Sequence, residues 1–417
     1  MRRNARNASW ERFLESEHEI LDPQDTLSRL PENVLQHMMS FLPPLDKDNV
    51  CLLSRKWRRL TAQNQTVLWL TQHKLNELEF PKILNDEFHS VEFLSLTKCP
   101  GMRNLKLVNY KLVIIHLKYC GSLKNLSLNT PNLKTLYFCG PRVKPCTIEF
   151  INCKKLTILD LLGVAMNTTM FINCDQSFPL LQTLTLTRCD MSGCINISSK
   201  SLHDLSFVGF TKPVGLTVDA PNLSSFMYNG TTIAPCQNIN LPRLTIAYVE
   251  LYPNLNQKRD QIWFTRLTEM LHCLKHAKRL EFYTNSDENV IIPKYLRETL
   301  VPPLDEISWI VVRTTSRFTD IVNLADSMLW VSPRVNNLFC SSNFWQFILK
   351  LSHEESTSDS SCRFCASHSS RCWRHTVTGY VVDHTYGAQK EEMKLYLQAN
   401  LKSVGRSGID LSKVEMI

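Results

Sequence analysis

Residues 92–139 read EFLSLTKCPGMRNLKLVNYKLVIIHLKYCGSLKNLSLNTPNLKTLYFC, and one short phrase returns within them. Leu94-Ser95-Leu96 is followed by Cys99, Ile115-His116-Leu117 by Cys120, and Leu136-Tyr137-Phe138 by Cys139. Alternation of apolar and polar residues over so few positions reads as a strand with one buried side. A companion phrase sits between the main ones, as Leu105-Lys106-Leu107, Leu126-Ser127-Leu128 and then Ile148-Glu149-Phe150. The main phrase continues at Leu159, at Leu184-Thr185-Leu186 with Cys189, at Leu205-Ser206-Phe207 and at Phe226, in steps of 21, 21, 23, 25, 21 and 21 residues.

A period of about 20–29 residues with one strand per unit is the mark of a leucine-rich repeat. No unit can bury its apolar side alone, so stability is shared between stacked neighbours. Seven strands about 4.8 Å apart predict a concave sheet about 30 Å long. Cys99, Cys120, Cys139 and Cys189 then form a structural ladder of small buried side chains. Beyond residue 258 the texture changes. Arg259 to His276 carries Ile262, Leu267, Met270, Leu271 and Leu274 at helical spacing, and strand-like segments follow at Leu280, Trp309 and Leu338, two steps of 29 residues. Ile321 to Trp330 is helical in pattern, so longer units with outer helices continue the array.

Working toward the N-terminus, residues 27–60 read as a compact group of helices. Pro31 suits a first helical turn, where its missing N–H would have no partner, and Glu32 carries a favourable charge there. Val34, Leu35, Met38, Met39 and Leu42 form one apolar stripe, and Pro43-Pro44 ends it. Val50, Leu53, Trp57 and Leu60 give a second apolar face among Arg55, Lys56, Arg58 and Arg59. A helical piece of about 40 residues barely supports itself, so an apolar face beyond its own needs suits a partner.

Asp25 to Leu42 resembles the first helix of an F-box, and Leu52-Leu53-Ser54-Arg55-Lys56-Trp57-Arg58 resembles its closing phrase. The resemblance implies docking onto a Skp-type adaptor and through it a cullin–RING ubiquitin ligase, by a helix-in-groove contact. It places Leu30, Pro31, Val34, Leu35, Met38, Met39, Leu42, Val50, Leu53 and Trp57 at the adaptor. Met38 and Met39 stand where the family more often has branched aliphatics, and methionine substitutes as a flexible apolar residue. Ala220 to Phe226 and Met328 to Pro333 resemble phrases of plant F-box/leucine-rich-repeat proteins. The fold class expected is therefore α/β: an N-terminal helical F-box, then a leucine-rich-repeat solenoid with longer α/β repeats toward the C-terminus. The expected boundaries are 1–22 for an N-terminal segment, 23–70 for the F-box, 71–345 for the solenoid, 346–371 for a Ser-rich loop and 372–417 for a C-terminal segment resembling an FBD region.

The composition is ordinary for a soluble globular protein, with 43% hydrophobic and 21% charged residues. No apolar run approaches the roughly 18 residues of a membrane span, and no secretory signal follows Met1-Arg2-Arg3. The expected location is the nucleus, the cytoplasm or both, with most of the 15 cysteines as free thiols. Only 12 glycines occur and none forms a phosphate-cradling loop; no nucleophile-elbow or metalloprotease signature is present. These readings point to a non-catalytic receptor that needs no cofactor.

Charge is unevenly spread. The chain carries a net +8, yet Phe93 to Ile148 alone holds nine Lys or Arg and no Asp or Glu. Arg103 and Lys124 are one repeat apart and should stack, so with Lys106 they form a candidate row for an acidic, phosphorylated or polyphosphate partner; a solvated face is the plainer reading. No aromatic-interleaved basic motif marks a nucleic-acid module. Near the C-terminus, Cys362-x2-Cys365-x6-Cys372-x2-His375 offers four soft ligands for zinc. The six-residue spacer is short for a zinc ribbon, and Cys372-Trp373-Arg374-His375 resembles the lead-in to an FBD-region strand at Val377 to Val382, with Glu391 to Leu401 as a terminal helix. The alternative to a ligase receptor is a repeat scaffold with no ligase role, binding zinc or an acidic or polyphosphate partner.

Overall fold

The computed structural model describes residues 30–41, 66–354 and 372–410, apart from short internal stretches at 73, 87, 89, 141–145, 167–170, 192–193, 213–214, 255, 305–306, 319, 344–345, 385–386 and 405–408. The expected apolar positions Leu42, Val50, Leu53 and Trp57, and the candidate ligands Cys362 and Cys365, lie outside the described residues. The chain divides into two units, one ending at Asn167 and taking in Gln176–Leu181, the other formed by Thr168–Asp175 and everything from Gln182 onward.

Among the described residues the first unit contains helices α1 (Glu32–Ser40) and α2 (Glu79–Asp86). Its main sheet contains β1 (Val67–Thr71), β2 (Phe93–Thr97), β4 (Ile114–Lys118), β6 (Thr135–Cys139) and β8 (Ile158–Leu162), in that order and all parallel. The companion phrases form a second parallel sheet of β3 (Asn104–Val108), β5 (Asn125–Asn129) and β7 (Thr147–Phe150). Leu94, Leu96, Ile115, Leu117, Leu136 and Phe138 from the first sheet and Leu105, Leu107, Leu126 and Leu128 from the second are buried. Successive side chains of a strand point to opposite faces, so each coil contributes leucines to one interior and the intervening residues to two outer faces. β1 begins at Val67, within the stretch assigned above to the helical module. Its Val67-Leu68-Trp69-Leu70 pairs in register with Phe93-Leu94-Ser95-Leu96, so the repeat starts one coil earlier than its leucine–cysteine phrases announce.

The turns explain the cysteines. Cys99 Sγ lies 3.4 Å from the Leu70 carbonyl oxygen, and Cys120 Sγ lies 3.8 Å from that of Leu96, one coil back in each case. Both thiols are buried, as are those of Cys139 and Cys189. Just before each of these turns the backbone enters the left-handed region: φ is 61° at Gln72, 54° at Lys98 and 55° at Tyr119. The kinks are held by the next coil, with Gln72 N donating to Thr97 O at 2.9 Å and Lys98 N to Lys118 O at 2.8 Å.

The second unit repeats the scheme. After two-residue β9 (Ala165–Met166) in the first unit come β10 (Thr183–Thr187), two-residue β11 (Asp190–Met191), β12 (Ile195–Ser198), β13 (Asp204–Phe210), β14 (Leu216–Asp219), β15 (Ser225–Gly230), β16 (Cys236–Asn240) and β17 (Ile246–Leu251). Strands β10, β13, β15 and β17 are parallel neighbours in the main sheet, and β12, β14 and β16 form the companion sheet. β18 (Arg279–Thr284), β19 (Trp309–Thr314) and β20 (Asn337–Ser342) continue the main sheet in parallel. Here helices take the place of companion strands. α3 (Gln261–Cys273) is capped by Asp260, whose carboxylate accepts from Trp263 N at 3.0 Å, and it buries Trp263, Phe264, Leu267, Met270 and Leu271. A short α4 (Lys294–Arg297) precedes α5 (Ile321–Val331), capped in the same way by Asp320.

The register corrects one expected step. Leu280 lies opposite Ile310, which lies opposite Leu338, while Trp309 pairs with Arg279. Trp309 is therefore on the outer face, 42% exposed, and Ile310 is the core residue. A second difference lies at 346–353. The stretch assigned to a Ser-rich loop begins with β21 (Gln346–His353), which pairs antiparallel with β20. A one-turn helix α6 (Trp373–Thr376) leads into β22 (Val377–His384), antiparallel to β21; α7 (Gly387–Lys402) and two-residue β23 (Ile409–Asp410), parallel to β22, complete the described chain.

Candidate functional site

Helix α1 divides its predicted stripe. Leu35 is fully buried, whereas Val34 is 40%, Met38 39% and Phe41 73% exposed. Pro31 is exposed and its carbonyl accepts from the amides of Val34 and Leu35, so proline starts the first turn as its chemistry favours. Leu30 is half-buried. Phe41, whose ring meets His37 edge-on at 4.9 Å, was not among the expected docking residues; being the last aromatic before Pro43-Pro44 is its only sequence signal. Apolar side chains turned outward beside one turned inward form a surface with material to give a partner.

The outer face of the first unit's main sheet is aromatic. Trp69 stacks on Phe93 at 5.2 Å, Phe93 meets His116 at 5.0 Å, and His116 meets Tyr137 at 5.8 Å. The Lys118 ammonium sits 4.9 Å over the Tyr137 ring. Trp69, 68% exposed, begins this ladder. These are the x residues of the repeat and their strand neighbours, set side by side by the register. Burial, and then the Lys118 charge, hold the His116 imidazole below its usual range, so the ring is neutral near pH 7 and does not break the aromatic row with a cation.

The outer face of β18–β20 has another character. Glu281, almost wholly buried, accepts from Arg279 Nε at 2.7 Å on Oε1 and from the Tyr283 hydroxyl at 2.9 Å on Oε2, and Arg313 Nε lies 3.9 Å from Oε2. The Arg279 guanidinium lies 5.9 Å over Trp309, and that of Arg313 lies 5.7 Å over Tyr283 and 5.5 Å over Phe339. Burial, then the bond to Glu281, push the Tyr283 phenol up, so it stays a donor.

The residues singled out for charge lie elsewhere. Arg103, Lys106 and Lys124 are exposed and belong to the companion-sheet side of the first unit, not to the main sheet's outer face. Arg103 and Lys124 do stack, with Lys124 N donating to Arg103 O at 2.7 Å. Glu77 caps this edge by accepting from Arg103 N at 2.8 Å and Asn104 N at 2.7 Å, and those two backbone bonds hold its carboxyl below the usual range. Of the proposed zinc set, Cys372 is half-buried at the N-cap of α6, with Arg374 Nη1 3.7 Å from its sulfur, and His375 is half-buried on the same turn. Among the described residues no group of three or more metal-ligating side chains converges.

Parallel coils that return one strand each to a main sheet, with leucines stacked inside and helices replacing strands in the longer units, define an α/β leucine-rich-repeat protein. No protein-family model matches the chain. Its curated relatives are plant proteins from Arabidopsis thaliana. It is 24% identical over 296 residues to an F-box/LRR-repeat protein, a match covering 62% of this chain and 60% of the relative. A putative F-box/FBD/LRR-repeat protein is 21% identical over 347 residues, 70% of this chain and 68% of its own length. F-box/LRR-repeat protein 25 is 23% identical over 209 residues, 46% of this chain and 74% of its own length. The chain thus resembles plant F-box/leucine-rich-repeat proteins, and the match spans about three fifths of the first relative's length.

Proposed function

We propose that this chain is the substrate-recognition subunit of a Skp–cullin–F-box ubiquitin ligase, working in the nucleus or cytoplasm without catalysis of its own. The observation that carries the reading is the split of α1, where Leu35 anchors the helix and Pro31, Val34, Met38 and Phe41 face outward. A Skp-type adaptor takes that apolar side in its groove, and the outer faces of the repeat strands take a target protein. Ubiquitin transfer occurs on other subunits, and this chain supplies proximity: a tethered target meets the transfer machinery at an effective concentration near the millimolar range for a short flexible link.

The test is capture of a Skp-type adaptor by the full chain, beside Leu30→Ala/Pro31→Ala and Val34→Asp/Met38→Asp variants. Wild-type capture with loss of about tenfold or more in affinity for the aspartate variant is expected, because two charges would be buried without partners. Absence of capture by well-folded wild type overturns the ligase role and leaves a repeat scaffold.

A further inference from the structure

On β18, β19 and β20 the outward-facing charges are two guanidiniums and one carboxylate: Arg279, Arg313 and Glu281. Both guanidiniums turn their Nε edge to the same anion. That anion is deep, with a side chain only 6% exposed, while the arginines remain 42% and 41% exposed. On these three strands one buried negative charge therefore faces two half-exposed positive ones, a surplus of one cation. Glu250, the flanking carboxylate on β17, accepts from the side-chain amide of Asn229 at 2.5 Å, a bond that orients one of its oxygens without neutralising it. Lys350, exposed on β21 at the end of the row that runs through Arg279, Trp309 and Asn337, adds a cation on the other flank.

Rigidity is the second element. A long arginine normally loses rotamer freedom when it binds. Here the Arg279 guanidinium already lies against Trp309 and is bonded at Nε by Glu281, and that of Arg313 lies against Tyr283 and Phe339 with Glu281 as its nearby counter-charge. A planar guanidinium with an ordered stem is suited to bidentate bonds to a carboxylate. We propose that this arginine–aromatic platform is the docking site for an acidic peptide segment of a target protein, with glutamate or aspartate carboxylates on Arg279 and Arg313 and the peptide's apolar atoms on Trp309 and Phe339. The inference rests on the reading above only in taking the outer face as the capture surface.

The experiment uses the full chain and a fluorescein-labelled peptide of alternating glycine and glutamate, followed by anisotropy. The Gln-for-Glu peptide and an oligothymidylate of the same length serve as the other probes. The glutamate peptide binds, the glutamine peptide binds about tenfold more weakly or less, and raising NaCl from about 50 to about 300 mM weakens binding. Arg279→Gln/Arg313→Gln lowers affinity about tenfold or more, whereas Arg103→Gln/Lys106→Gln/Lys124→Gln changes it less than about twofold. Thermal unfolding and adaptor capture are read on the same preparations, so failure of the platform is separable from failure of the ligase reading. Should the first variant unfold, Arg279→Lys/Arg313→Lys keeps the charges but loses the forks, and a loss of about threefold or more is expected. No binding of the glutamate peptide, equal binding of the glutamine peptide, equal affinity in the glutamine double variant, or tighter Arg-dependent binding of the oligothymidylate each overturns the proposal.

Discussion

Left-handed backbone at the end of the main strands is a recurring device of this molecule. Gln72, Lys98, Tyr119 and Arg188 adopt it without being glycine, and Gly163 and Gly209 occupy the equivalent places in their coils. Each non-glycine residue there costs about 1 kcal/mol or more of local strain, offset by the ladder bond its amide makes to the next coil, as Arg188 N does to Val208 O at 2.7 Å. At Gly209 glycine is required twice over. Its φ is +72°, and a Cβ built there would come within 2.6 Å of Arg188 Cγ from the preceding coil. Gly209→Ala should lower stability by about 1–3 kcal/mol in urea unfolding, and a loss below about 0.5 kcal/mol would show that Arg188 swings away freely. None of this was legible in the sequence, because Lys, Tyr, Arg and Gln share no property that announces a positive φ. The leucines were legible because burial selects one residue class, whereas this kink accepts any side chain the next coil will hold.

Among the elements, α5 is the junction of the second unit. Its Asp326 accepts from Arg297 Nη1 of α4 at 2.7 Å, from Arg374 Nη2 of α6 at 3.2 Å and from the Tyr396 hydroxyl of α7. Arg374 is fixed further by Asn400 at 2.8 Å and lies over Trp373 at 4.6 Å. Burial, then the Asp326 charge, push the Tyr396 hydroxyl up and keep it a donor. One carboxylate thus ties three helices to α5. Asp326→Ala should destabilise by about 3–5 kcal/mol, since two buried guanidiniums lose their counter-charge; a loss under about 1 kcal/mol in chemical denaturation would mean that water replaces the carboxylate. The helix itself was plain from its apolar spacing, and the ends of α3 and α5 fall within a few residues of the expected ones. The strand β17 was not, because Ile246-Ala247-Tyr248-Val249 puts alanine where its neighbours carry leucine or phenylalanine. The step at Trp309 failed for a related reason: an aromatic on the outer face looks like a core residue to periodicity alone.

At the scale of the whole chain, the second unit's main sheet reverses direction at its end. β21 runs antiparallel to β20, β22 turns back antiparallel to β21, and the short β23 is held by Lys394 Nζ to Asp410 at 2.9 Å. An exposed parallel edge is a template for pairing with other molecules, and these strands cover the one that β20 would present. A chain cut back to residue 342 should therefore aggregate on expression; a monomeric, cooperatively melting product in size-exclusion chromatography and calorimetry would refute this. The candidate binding faces were the least legible part. Residues between the leucines obey no period, so which of them gather is known only once the folded coils stack Trp69 on Phe93 and the register sets Arg279 beside Trp309. The basic window was visible by count, but counting could not tell that its lysines are divided between different faces.

The buried thiols give the molecule one further property. Cys99, Cys120, Cys139, Cys153, Cys174, Cys189 and Cys340 lie at separate positions along the array, each sealed from solvent. Burial pushes Cys146 and Cys174 up to about 12, so these two thiols are slow to react while their surroundings hold. An alkylating reagent then modifies each site only when its own coil opens. The repeat carries an internal set of clocks, one in nearly every turn of the first unit, and their order of labelling reads out which end of the array frays first.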